Sequence, residues 1–123
     1  MTPSREDAVL VIDDSADTRD ALRVLLELEG YRVETAENGQ HGLDQLRAGL
    51  RPCLIVLDLM MPVKDGVQFR REQLAIPELA QIPIVVYSAR RQADADTKTL
   101  GEVAYVKKPV DFDELLALVR QYC

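Results

Sequence analysis

No tryptophan, one histidine, two cysteines and 5% aromatic residues leave this 123-residue chain without the means for several kinds of chemistry. A usual zinc site needs four His or Cys ligands at set spacings, and Cys53, Cys123 and the lone His41 cannot supply one. Both cysteines are expected to be reduced, Cys53 as a small buried residue. Long apolar runs are also missing. None approaches the roughly 18 residues that read as a bilayer-spanning helix, and the opening Met1-Thr2-Pro3-Ser4-Arg5-Glu6-Asp7 lacks the apolar centre of a signal peptide. These absences point to a soluble, cytoplasmic protein with no membrane partner. There is no extended block of Lys or Arg, and the formal net charge is −6, so direct binding to DNA or to anionic lipid is disfavoured.

What is present is enough apolar material for one core: 47% hydrophobic residues in a length suited to a single domain over 1–123, with 1–7 as an N-terminal lead. No room is left for a separate output domain. Short apolar runs alternate with helical patterns. Ala8-Val9-Leu10-Val11-Ile12 reads as a first strand. A helix capped by Ser15 follows, with Leu22, Leu25 and Leu26 as its core stripe and Ala21, Val24 and Leu28 widening the apolar sector. Tyr31 to Ala36 alternates like an edge strand, and Gly39 to Gly49 reads as a short helix weakened by Gly42.

The run Leu54-Ile55-Val56-Leu57 reads as a strand buried on both faces, and a helix in which Val67, Arg70, Arg71 and Leu74 recur comes after it. Pro77 and Pro83 bracket a connection. Ile84 to Tyr87 is a fourth strand, 93–100 a thin-faced helix, Ala104 to Lys107 a fifth strand. A last helix is capped by Asp111 and buries Phe112, Leu115, Leu116 and Val119. Five strands alternating with five helices specify a flavodoxin-like, doubly wound α/β fold with a parallel sheet in the order 2-1-3-4-5.

In such a sheet, ligand sites form outside the carboxyl ends of the strands. Asp13-Asp14 follow the first strand, Asp58 the third, Ser88 the fourth and Lys108 the fifth. Adjacent carboxylates repel one another, so Asp13-Asp14 are either solvated or part of a divalent-metal site. Asp58 is a candidate for chemistry, although Asp after a strand also caps loops. Three carboxylates, a hydroxyl and an ammonium at one sheet edge form a set for phosphoryl chemistry: acids hold Mg²⁺, one acid attacks phosphorus, and the donors neutralise the transferred oxygens.

The chain resembles a receiver domain of the two-component response-regulator family, in the stand-alone form similar to chemotaxis regulators. Asp13-Asp14, Asp58 with Met61-Pro62 and Asp65-Gly66, Ser88-Ala89 and Lys108-Pro109 carry the resemblance, in the right order at the right strand ends. It implies that Asp58 accepts a phosphoryl group from a phosphohistidine on a histidine kinase or phosphotransfer protein. By the same resemblance Asp14, Asp58 and the Met60 backbone carbonyl ligate Mg²⁺, with Asp13 assisting directly or through water. Lys108 pairs with the phosphoryl oxygens, Ser88 swings in to hydrogen-bond them, and Tyr105 follows it inward as a switch. The protein would then be no enzyme in the usual sense, but a phosphoacceptor that catalyses its own transfer and dephosphorylation. Asp65 is better read as the cap of the next helix.

Three other classes fit less well. A dehalogenase-type hydrolase would want a second acid where Met60 stands, and a flavodoxin-like cofactor binder a Ser/Thr/Gly-rich loop in place of Asp13-Asp14. A phosphorylation-independent docking module is the more serious alternative. It would normally have lost one of the acids, Ser88 or Lys108, and all are present.

Overall fold

The computed structural model describes residues 8–58, 65–88, 104–107 and 111–123. Strands β1 (Ala8–Ile12), β2 (Arg32–Ala36), β3 (Leu54–Asp58), β4 (Ile84–Ser88) and β5 (Ala104–Lys107) lie in one sheet in the order β2-β1-β3-β4-β5. All four pairings are parallel. Helices α1 (Ala16–Leu28), α2 (Gly39–Arg47), α3 (Gly66–Leu74), α4 (Pro77–Ala80) and α5 (Phe112–Tyr122) complete the described elements.

β1 and β3 are buried at every position, which is why both read as unbroken apolar runs. Their side chains alternate between two cores. Leu10, Ile12, Ile55, Leu57 and Ile84 meet Leu43, Leu46 and Phe69 on one face. Val9, Val11, Val56, Val85 and Tyr87 meet Leu22, Leu26, Leu115 and Val119 on the other. Each fully buried Leu or Ile contributes about 1.5–3 kcal/mol of transfer free energy, so the two faces together hold the strand ends in a fixed frame.

The helix starts follow the side-chain chemistry of their caps. Ser15 accepts from the Thr18 N–H at 3.3 Å, Asn38 from His41 at 2.8 Å, and Asp111 from Asp113 and Glu114 at 3.0 and 3.3 Å. Asp65 caps α3 through a reciprocal pair with Gln68, in keeping with the structural role expected of it. On α1, Leu22 and Leu26 are buried, but Leu25 is 39% exposed and lies outside the core stripe expected for it. α3 buries Phe69, Arg70 and Gln73, and Leu74 faces outward. Its inner face was hidden from a purely apolar reading because two of the three side chains are polar. Arg70 donates to Gln73 Oε1 at 2.8 Å, while Gln73 donates to the Leu79 carbonyl at 2.8 Å. Pro77, expected in a connection, opens the one-turn α4, where its missing N–H costs nothing. The helix expected over 93–100 lies outside the described residues.

Gly42 does not simply weaken α2; it lets the helix sit close on the sheet. A Cβ at this position would lie 2.6 Å from Ile12 Cδ1 and 3.2 Å from Phe69 Cε2. Alanine is the better helix former by about 1 kcal/mol, whereas overpacking a filled core costs about 1–3 kcal/mol. Ile12 and Phe69 are both fully buried and have little room to yield. Gly42→Ala is therefore expected to destabilise by about 1 kcal/mol net. Thermal unfolding checks this, and an equal or higher midpoint would show that Ile12 can move aside.

The expectation of two reduced cysteines is corrected by the structure. Cys53 and Cys123 are joined in a disulfide with Cα atoms 5.4 Å apart and a sequence separation of 70. Cys53, just before β3, is half-buried and not a buried core residue. The pairing follows from topology. α5 runs back after β5 and ends at the edge of the sheet where β3 begins, so the end of the chain arrives beside Cys53.

Candidate functional site

The carboxyl ends of β1 and β3, adjacent strands at the point where strand order reverses, bring Asp13, Asp14 and Asp58 together. Their ligand oxygens all lie within 4.8 Å of one another. Asp13 and Asp58 are 0% and 1% exposed, and Asp14 is open to solvent. At that separation the two buried carboxylates repel by about 3 kcal/mol at an effective dielectric of 20. Hard oxygen donors of this kind suit Mg²⁺ or Ca²⁺, not a thiolate-loving or imidazole-loving metal. The residues present therefore fit the divalent cation implied by the resemblance.

Asp13 is held at both carboxylate oxygens and at its backbone carbonyl. Its Oδ1 accepts from the Ser15 N–H at 2.8 Å, its carbonyl accepts from the Arg19 guanidinium at 2.6 Å, and its Oδ2 accepts from the Tyr87 hydroxyl. Tyr87 is 1% exposed, and its role at the site goes beyond that of the strand residue expected from the sequence. The available signal was its hydroxyl: a buried tyrosine O–H needs an acceptor, and Ile84-Val85-Val86 offers no side-chain partner.

Ser88 closes β4, opposite Lys107 on β5, and Tyr105 lies opposite Val86. Both are described by backbone position alone. Lys108 and Met60, whose ammonium and backbone carbonyl are expected at the site, lie outside the described residues. Among the described residues no helix is long and apolar enough to cross a membrane.

A parallel α/β sheet with an acidic triad at its switch point defines a class: flavodoxin-like proteins with an acidic pocket at the strand ends. Comparison with known proteins narrows it. Residues 9–120 match the model of the response regulator receiver domain, and the chain belongs to that family. It is 39% identical to the response regulator MprA of Mycolicibacterium vanbaalenii over 114 residues, 91% of this chain and 48% of MprA, so it spans about half of that relative's length. An uncharacterised 14.6 kDa protein of Leptolyngbya boryana is 38% identical over 94% of this chain and 88% of its own.

Among solved structures, a response regulator receiver protein from Pseudomonas putida superposes with a TM-score of 0.88 at 31% identity, covering 97% and 99% of the two chains. The response regulator TrrA of Thermotoga maritima, solved in complex with Mg²⁺-BeF, gives 0.83 at 30% identity over 95% and 99%. Receiver domains are signalling proteins and not classical enzymes. They bind Mg²⁺ at an acidic pocket, and they interact with a phosphodonor histidine kinase or phosphotransfer protein.

Proposed function

We propose that Asp58 is the phosphoacceptor of a Mg²⁺-dependent phosphotransfer from phosphohistidine. The convergence of Asp13, Asp14 and Asp58 is the observation that carries this reading. An Asp58 carboxylate oxygen attacks phosphorus, the P–N bond breaks, and its electron pair returns to the imidazole of the donor. A mixed anhydride forms on Asp58. A Mg²⁺ ion held by Asp14, Asp58 and the Met60 carbonyl, with Asp13 assisting, would offset the charge of the incoming phosphoryl oxygens. Lys108 and Ser88 would complete that neutralisation, and Tyr105 would respond to Ser88. Water attack on phosphorus would later release inorganic phosphate and restore the carboxylate. The TrrA complex, which carries Mg²⁺ with BeF, supports the reading by likeness.

This function places the protein in the cytoplasm, with a histidine kinase or phosphotransfer protein as its donor. The test is mass spectrometry after incubation with a small acyl phosphate, with and without Mg²⁺. One added phosphoryl group that requires the ion is expected. No adduct under either condition would overturn the assignment.

Docking of the donor is assigned to α1. Val24 and Leu28 are 56% and 78% exposed on the helix that starts beside Asp13-Asp14, and they form an apolar strip where the donor must approach. Val24→Glu is expected to slow transfer from a phosphorylated histidine protein about tenfold, the size of a loss of about 1.4 kcal/mol. Phosphorylation by the small donor should be unchanged. An equal loss with both donors would indicate a damaged fold and remove α1 from the docking surface.

A further inference from the structure

We infer that Tyr87 is a positioning residue of the acidic site, setting its affinity for the cation by holding Asp13. This inference rests on the reading of that site as a Mg²⁺ site.

Three observations carry it. Tyr87 stands on β4, where its register partner on β3 is Asp58. Yet its hydroxyl donates to Asp13, which follows β1, and β3 lies between β1 and β4. Two strand spacings amount to about 9–10 Å, so the tyrosine must lay its ring across the end of the strand that bears Asp58. Finally, the hydroxyl takes one oxygen of Asp13 while the Ser15 N–H takes the other at 2.8 Å, which fixes the plane of the carboxylate.

The fixed plane has a chemical consequence. A carboxylate has about four acceptor positions, so two hydrogen bonds do not exhaust Asp13. They decide where its remaining acceptor directions point. Groups that orient metal-binding side chains in this way typically change affinity 10–100-fold when removed. In a purely structural role Tyr87 fills the core formed with Val11, Leu22 and Leu26, and Asp13 serves only as the acceptor for its hydroxyl. The two roles differ in what the hydroxyl does for the ion.

Tyr87→Phe keeps the ring and removes the hydroxyl. Isothermal titration of the folded variant with MgCl₂, well below its unfolding midpoint, is expected to give a Kd at least about tenfold weaker than that of the unsubstituted chain. Equal or tighter binding would overturn the inference and leave Tyr87 a core residue. A wild-type chain that binds no Mg²⁺ would instead overturn the reading of the site itself. Should the variant not fold, the Tyr87 ring resonances of the unsubstituted chain supply the test. They are expected to shift with added Mg²⁺ on the same curve as the Asp58 backbone amide, and their indifference to the ion would overturn the inference.

Discussion

Asp58→Asn is expected to gain no phosphoryl group under conditions in which the unsubstituted chain gains one. Asparagine matches aspartate in size and keeps an acceptor oxygen, but its amide is not a nucleophile, so the change removes the chemistry with little change of shape. The neighbours are poor substitutes. Asp13 is buried and already held through both oxygens by Ser15 and Tyr87, and Asp14 is exposed to water. Intact-mass measurement and thermal unfolding together make the test. An adduct that survives the substitution moves the acceptor role to Asp13 or Asp14. A lost adduct with a sharply lowered midpoint would show only that the fold had failed, and the assignment would then fall to direct mapping of the modified residue in the parent.

The second large effect concerns the cross-link. A disulfide that closes a loop spanning 70 residues of sequence removes conformational freedom from the unfolded chain, worth about 4.4 kcal/mol on the chain-entropy estimate. For a chain of this length that is roughly 15–20 °C in unfolding midpoint. Replacing Cys53 and Cys123 together by serine, or adding reductant to the parent, is expected to lower the midpoint by that amount. The double variant should be indifferent to reductant. A midpoint that reductant leaves unchanged would show that the bond contributes nothing. Disulfides are rare in the cytoplasm, where thiols are kept reduced. If the protein works there, as its proposed function requires, the less stable thiol form is the working form and the cross-linked one arises by oxidation.

The parts legible in the sequence are those written in consecutive residues. Ala8 to Ile12 and Leu54 to Leu57 are unbroken apolar runs because both faces of their strands are covered. A carboxylate at the end of such a run is conspicuous, so Asp13, Asp14 and Asp58 could be picked out before any contact was known. The caps Ser15, Asp65 and Asp111 depend on neighbours within three residues, and they too were readable.

What escaped depends on residues far apart in the chain. Leu25 has the spacing of a core residue, and only the placement of α1 on the sheet decides that Leu22 and Leu26 take the inner positions. Arg70 and Gln73 look like surface residues until the carbonyls of Leu79 and Ile82 come within reach of their side chains. Cys53 and Cys123 carry no mark of their pairing, since two cysteines at arbitrary spacing are compatible with any redox state. Tyr87 finds its partner two strands away, a relation that exists only once β3 has been inserted between β1 and β4.

That insertion also determines what it takes to make the site at all. Asp13 and Asp58 stand about 45 residues apart in the chain, and bringing such a span's ends together costs about 3 kcal/mol of loop closure. Two of the acids directly follow β1, and the third joins them only through the pairing of β1 with β3. A peptide containing β1, α1 and β2 would hold Asp13 and Asp14 and still possess no triad; one containing β3 alone would hold Asp58 without its neighbours. The cluster therefore has no local precursor and no minimal fragment, and it comes into being only when the middle of the sheet closes.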